Sequence, residues 1–338
     1  MNRWEDYAFN EVHALIQALN ITQNNPINVN APKLRYLAAL FAEMAYHLVP
    51  EWEVDKHKRA KLYRVPSEGY QMLVDQGIRG SANVVEAFID AELPKPFIAS
   101  SAGIVAVGVV IKGIMFVGFR GTAVLFDCKV NLRAELVRVD SAHRITKHHW
   151  FDQCHIEDKK IISGGLHSGF AEEAVRITKR IFDAIPEADR SSIEHVVLAG
   201  HSLGGAVAAV SKLLITQWPA TACIFGAPRY ADAGFYLNGF DNYPIQIRRP
   251  GDLVPTVPPR SYGFCDHPNE FATNGEEYID TSLNSWLVSD LCNWFRFLRT
   301  KFAAHSMESY RREIAEAIGS KFADKPLTKA VKITKRHI

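Results

Sequence analysis

The chain has 338 residues, enough for one large domain or two small ones, and its 47% hydrophobic and 22% charged residues describe an ordinary globular composition with material for a sizeable core. A net charge of +2 offers nucleic acid no electrostatic footing. Five dispersed cysteines (Cys128, Cys154, Cys223, Cys265 and Cys292) without a C-x-x-C pair argue against a disulfide framework and for a reducing compartment.

Met1-Asn2-Arg3-Trp4-Glu5-Asp6 lacks the basic region and apolar core of a secretory signal, so the expected location is cytoplasmic, or reached by a signal-independent export route. Val12, Leu15, Ile16 and Leu19 have helical spacing. Pro32 can open a second helix running through Leu34, Leu37, Leu40, Phe41 and Met44 towards Pro50. Glu51 to Arg64 is charge-rich and solvated, and Leu93-Pro94-Lys95-Pro96 is a rigid connector. Ala102 to Phe119 is apolar but interrupted by Lys112 and four glycines, so it reads as a buried β-hairpin turning at Lys112-Gly113 and not as a membrane span. Phe119-Arg120-Gly121-Thr122 follows, then a long segment of mixed polarity. His167-Ser168-Gly169-Phe170 starts a helix whose stripe is Phe170, Ala174, Ile177, Ile181 and Ile185.

The chemistry is announced next. Val196 to Leu198 is a short strand-like run, Ala206 to Trp218 a helical one, and Gly200-His201-Ser202-Leu203-Gly204 between them fits the G-x-S-x-G nucleophile elbow. A Ser on so sharp a turn presents its Oγ at a helix N-terminus, and a side chain two positions away on either side would collide with strand or helix. Ala222 to Phe225 and Pro244 to Arg248 are further strands. Strand and helix alternating from 166 to 250 imply an α/β sheet with the nucleophile at a strand's C-terminal end, where ligands bind in such sheets.

A Ser nucleophile needs a base, and the base an acid that orients it. In α/β-hydrolases these follow in chain order Ser, Asp or Glu, His. Asp232 lies within a loop and Asp241 precedes its strand, whereas Asp252 immediately follows the strand 245–248 and is the expected acid. For the base, His267 is close behind Asp252 in a Pro-containing loop, while His305 follows a long helical segment that lets the chain return to the sheet's edge; topology favours His305. His167 reads as structural, and His201 as packing under the elbow.

These segments, with Phe225-Gly226-Ala227-Pro228-Arg229, Asp252-Leu253-Val254-Pro255 and His305-Ser306-Met307-Glu308-Ser309-Tyr310, resemble the class 3 (fungal-type) lipase family from the hairpin near Ala102 to Tyr310. The resemblance implies an α/β-hydrolase fold, with a mostly parallel central sheet, an N-terminal β-hairpin and flanking helices. It implies the triad Ser202, Asp252 and His305, and an oxyanion hole made by Thr122 and the backbone N–H of Leu203. It also implies a lid within residues 123–165, where Leu125 and Phe126 would cover the site. The expected activity is hydrolysis of acylglycerol-type esters through an acyl-enzyme. An acyltransferase, a thioesterase or a phospholipase would use the same triad, and a catalytically silent lipid-binding protein is the rival outside enzymology.

The expected organisation is an N-terminal helical extension over 1–100, a hydrolase domain over 101–310, and a C-terminal helix with a basic tail over 311–338. Residues 283–302 form a helix with an apolar stripe that docks on the core. With no H-E-x-x-H, Walker A or Cys/His cluster, neither metal nor cofactor is expected. The expected partners are a lipid or small ester substrate and, transiently, a membrane or lipid-droplet surface, with no nucleic acid.

Overall fold

The computed structural model describes residues 7–19, 27–28, 31–50, 78–79, 81–101, 104–121, 136–139, 164–237, 243–278 and 303–328. Besides the two-residue strands Val49–Pro50 and Ile78–Arg79, which pair with each other, its strands in chain order are β1 (Phe97–Ser100), β2 (Val105–Ile111), β3 (Ile114–Arg120), β4 (Leu136–Val139), β5 (Gly164–His167), β6 (His195–His201), β7 (Ala220–Phe225), β8 (Ile245–Arg248) and β9 (Glu270–Ala272). Seven of these form one sheet, in the order β9-β8-β7-β6-β3-β2-β1. β1 and β2, and β2 and β3, pair antiparallel; from β3 across β6, β7, β8 and β9 every pairing is parallel. This is the α/β-hydrolase arrangement expected from the sequence. The hairpin between β2 and β3 turns at Lys112 and Gly113, both at positive φ (50° and 77°), as a two-residue turn matched to strand twist requires.

Side-chain alternation along the strands sorts the core into two layers. On one face Val105, Val107, Phe116, Val197, Ala199 and Phe225 meet α1 (Val12–Leu19), α2 (Pro32–Met44), α3 (Ser81–Asp90) and α6 (Met307–Ala317). On the other, Ala106, Met115, Val117, Val196, Leu198 and Ile224 meet α4 (Ser168–Ala184) and α5 (Leu203–Leu214). Each large apolar side chain buried there contributes about 1.5–3 kcal/mol. α2 lies directly on the sheet: a Cβ on Gly118 of β3 would come within 2.0 Å of the Phe41 carbonyl oxygen.

Three details depart from the sequence reading. α5 begins at Leu203, not Ala206, so helix follows Ser202 without a linker. β1 and β9 have no counterpart in the sequence pattern, being short strands of four and three residues without long alternation. α2 tightens into a 3₁₀ turn at Ala45–His47 before reaching Pro50.

β4 and β5 pair antiparallel as a small separate sheet. Of the segment 123–165, residues 136–139 and 164–165 are thus strand, while Leu125 and Phe126 lie outside the described residues. Thr122, residues 279–302 and the tail from 329 also lie outside them. Among the described residues, no helix is long and apolar enough to cross a membrane, and no group of His, Cys, Asp and Glu could hold a metal ion.

Candidate active site

β6 delivers Ser202 to the C-terminal edge of the parallel strands, and the elbow's geometry is set by close approach. A Cβ on Gly200 would lie 2.3 Å from the Gly204 carbonyl oxygen, and one on Gly204 would lie 2.6 Å from that of Phe119. Both glycines are therefore needed where strand, turn and helix cross. Ser202 takes φ 59° and ψ −133°, a conformation L-residues avoid at a cost of order 1–3 kcal/mol. Its N–H donates to the Phe225 carbonyl (2.9 Å) and its own carbonyl accepts from Gly205 N–H (2.9 Å), so both neighbouring elements hold the strained turn. The side chain is buried, and its Oγ makes no hydrogen bond to the described residues. Leu203 opens α5, so its backbone N–H belongs to the first turn, whose donors have no acceptor inside the helix.

Asp252 sits just past the end of β8, in a turn closed by its own N–H donating to the Arg249 carbonyl (3.1 Å). Three donors converge on its carboxylate. Val254 N–H reaches Oδ1 at 2.9 Å, while His305 Nδ1 at 2.8 Å and the Tyr310 hydroxyl at 2.6 Å both reach Oδ2. His305 ends the 3₁₀ turn Ala303–His305 ahead of α6, whose N-cap Ser306 accepts from Ser309 N–H. Arg249 ties the pieces together: its guanidinium donates to Glu313 of α6 and to the Ala304 carbonyl (2.7 Å), and its N–H donates to the Tyr310 oxygen (3.1 Å). Burial and the Asp252 charge push the Tyr310 phenol well above its usual range, so it stays a donor to that carboxylate. Gly226, at φ 53°, lies beneath: a Cβ there would be 2.5 Å from Asp252 Oδ2 and 3.2 Å from His305 Cε1.

The loop bearing Asp252 is braced from behind. Arg229 is buried, and its guanidinium donates to Asp266 (2.7 Å) and to the carbonyls of Thr256 and Pro258. Arg229 and Arg260 together hold the Asp266 carboxyl below its usual range against the opposing effect of burial.

The alternatives weighed on the sequence sit elsewhere. Asp232 Oδ1 accepts from Phe235 N–H (2.7 Å), starting a short helical turn; Asp241 lies outside the described residues. His267 is buried against Tyr230 and Tyr236, its Nδ1 accepting from Asn269 N–H (3.1 Å), and burial depresses its pKa to about 3. His167 is buried and stacked on Phe170, centroids 4.1 Å apart.

Two residues at the site were not visible as such in the sequence. His201 does more than pack under the elbow: its ring lies over His305, centroids 4.3 Å apart at 32°, and burial with the neighbouring His305 drives its pKa well down, so it is neutral. Tyr46 places its hydroxyl 2.6 Å from His201 Nδ1. No short motif marks a contact spanning 155 positions; the only signal was a tyrosine just beyond a core helix.

Comparison with known proteins bears on the same region. The family model described as lipase (class 3) matches residues 116–262. Secreted mono- and diacylglycerol lipase 1 of Fusarium solani is 27% identical over 153 residues, which are 43% of this chain and 46% of that protein. The match thus spans about half the length of the curated relative. Among solved structures, nonglycosylated LIP2 lipase of Yarrowia lipolytica has a TM-score of 0.48 at 17% identity, over 73% of this chain and 81% of that one. Mono- and diacylglycerol lipase of Aspergillus oryzae has a TM-score of 0.46 at 15% identity, over 77% and 83%.

Proposed function

We propose that this chain, whose residues 116–262 match the class 3 lipase family model, hydrolyses carboxylic esters of the acylglycerol type through a covalent acyl-serine. The observation that carries the reading is the His305–Asp252 hydrogen bond of 2.8 Å, lying beside the strained elbow that bears Ser202.

In this mechanism Ser202 Oγ attacks the ester carbonyl carbon while His305 Nε2 takes its proton. Asp252 holds the imidazole through Nδ1–H and stabilises the imidazolium. Negative charge gathers on the former carbonyl oxygen. On this reading the Leu203 N–H, free in the first turn of α5, receives it, with Thr122 as the second donor that the family resemblance implies; each such donor is worth about 10²–10³ in kcat. Collapse of the tetrahedral species breaks the bond to the alcohol, which leaves with the proton from His305. Water then attacks the acyl-serine, giving its proton to His305, and the carboxylic acid departs as that proton returns to Ser202. Acylglycerols are favoured as the substrate class by the Fusarium relative, whose name specifies mono- and diacylglycerols.

The test is labelling of the full chain by a fluorophosphonate, together with hydrolysis of p-nitrophenyl esters and emulsified acylglycerols. Ser202→Ala should fold, lose labelling, and lose on the order of 10⁴-fold or more in kcat. Ser202→Ala with activity within tenfold of the parent would remove Ser202 from the mechanism. Labelling and ester hydrolysis without any acylglycerol turnover would narrow the reading to a carboxylesterase.

A further inference from the structure

Tyr46 enters the site from a part of the chain that the triad does not use. α2 tightens at Ala45–His47, and that turn carries the tyrosine across the end of the sheet to the elbow. A Cβ on Gly121 would lie 2.8 Å from the Tyr46 hydroxyl and 2.9 Å from Ser202 Cβ, so the hydroxyl lies against the backbone that leads from β3 to Thr122. The Arg120 guanidinium sits 5.8 Å over the Tyr46 ring, and that ring meets His201 edge-on at 5.6 Å. His201 then lies over His305.

The proton positions follow from the partners. His201 is neutral, so one ring nitrogen donates and the other accepts. Nδ1 is the nitrogen in reach of a partner, the Tyr46 hydroxyl at 2.6 Å, while Nε2 has none among the described residues; with the Tyr46 O–H donating, Nδ1 accepts and the ring proton lies on Nε2.

We propose that Tyr46 is a positioning residue for His305: by donating to His201 Nδ1 it fixes the His201 ring as a neutral face against which His305 takes and returns the Ser202 proton. The proposal rests on the triad reading above and extends it, bringing a residue ahead of the sheet into the proton transfer. When His305 becomes an imidazolium, a neutral ring 4.3 Å away accommodates the charge through its π face, whereas a charged ring would repel it. Losing the tether lets the His201 ring turn, and the imidazolium loses that support. Among the described titratable and charged groups, Asp252 bonds His305, the His201 ring lies over it, Tyr310 shares the same Asp252 oxygen, and Arg249 donates to the adjoining Ala304 carbonyl. Tyr46→Phe removes the hydroxyl that meets His201 Nδ1 and changes no hydrogen bond of Asp252.

The experiment compares the full chain with Tyr46→Phe, His201→Gln, the double variant and Ser202→Ala. Each is assayed on a soluble short-chain p-nitrophenyl ester from pH 5 to 9 and by its rate of fluorophosphonate labelling. Tyr46→Phe is expected to lower kcat about tenfold at unchanged KM, slow labelling by the same factor, and move the acidic limb of the pH profile to lower pH. The double variant should be no slower than His201→Gln, because the two residues act in series. Unchanged kcat and limb in a folded Tyr46→Phe, a rise in KM alone, or additive losses in the double variant would each overturn the proposal. If Tyr46→Phe does not fold, an unshifted limb in His201→Gln overturns it instead. Failure of the triad reading is recognised separately, by an active Ser202→Ala or by an unlabelled parent.

Discussion

Gly226 is where the candidate site has least room. It combines φ 53° with a Cα that faces Asp252, Tyr310 and His305 together. Gly226→Ala must therefore displace either its own backbone or the carboxylate that three donors now hold. The expected outcome is a folded protein, by circular dichroism, whose kcat for a soluble ester falls by roughly 10²–10⁴ with little change in KM, as when an orienting acid is misplaced. Retained kcat would mean that the loop yields without disturbing the His305–Asp252 bond. The candidate triad Ser202, Asp252 and His305 could be proposed from the sequence because each residue obeys a rule of order and position: an elbow after a strand, an acid after a strand end, a histidine later still. Gly226 was legible only as part of a motif, since the reason for it is a contact with groups 26 and 84 positions away in sequence, as Asp252 Oδ2 and Tyr310 OH show. Tyr46 was not legible at all.

At the scale of elements, α2 and α6 are joined by charge as well as by apolar packing. Arg311 of α6 is wholly buried; it donates to Glu43 of α2 (2.7 Å) and to the carbonyls of Ala323 (3.3 Å) and Lys325 (2.9 Å). Burial raises the Glu43 pKa even against the nearby guanidinium. Arg311→Met strands a buried carboxyl group and two carbonyls, so it should lower unfolding free energy by about 3–5 kcal/mol in urea melts. Adding Glu43→Met should recover part of that loss, because the orphaned acid is then gone. No recovery would show that the carbonyl contacts, not the ion pair, dominate. This clasp matters to the site because α6 carries Tyr310 and Glu313, which fix Asp252 and Arg249. α2 was legible from its apolar spacing behind Pro32, whereas α6 was expected only as a C-terminal helix over 311–338 and begins at Met307. β9 was not legible, since a three-residue strand at a sheet edge has no period to read, and its place comes from pairing with β8.

Across the whole molecule, buried neutral histidines tie stability to pH. His267 has a folded-state pKa of about 3, and His195 one of about 4, both lowered chiefly by burial, against an unfolded value near 6.5. Below pH ~6.5 the unfolded chain takes up protons that the folded chain refuses, so stability falls as pH falls from there towards 3. For His267 the full effect is on the order of 4–5 kcal/mol. His267→Asn can keep an acceptor for Asn269 N–H but does not titrate. Urea unfolding at pH 4, 5, 6 and 7 should give a flatter dependence in that variant, with ester hydrolysis at pH 8 close to the parent. An equally steep dependence would mean that His267 is not a source of the acid sensitivity, and lost hydrolysis would reopen the choice of base.

The first and last described stretches are also neighbours. Ala8 and Phe9 N–H groups donate to the carbonyls of Pro326 and Leu327, and Ser320 donates to Glu11. Residues 8–11 thus lie against 320–327, though synthesis lays them down far apart. The elbow is complete by the time α5 emerges from the ribosome, yet His305 and Tyr310 follow about a hundred residues later and the closing contacts later still. A growing chain would pass through a long interval with its nucleophile made and no base to fire it. On the reading of His305 as base, such a chain gains catalysis only after α6 has emerged and docked beside α2.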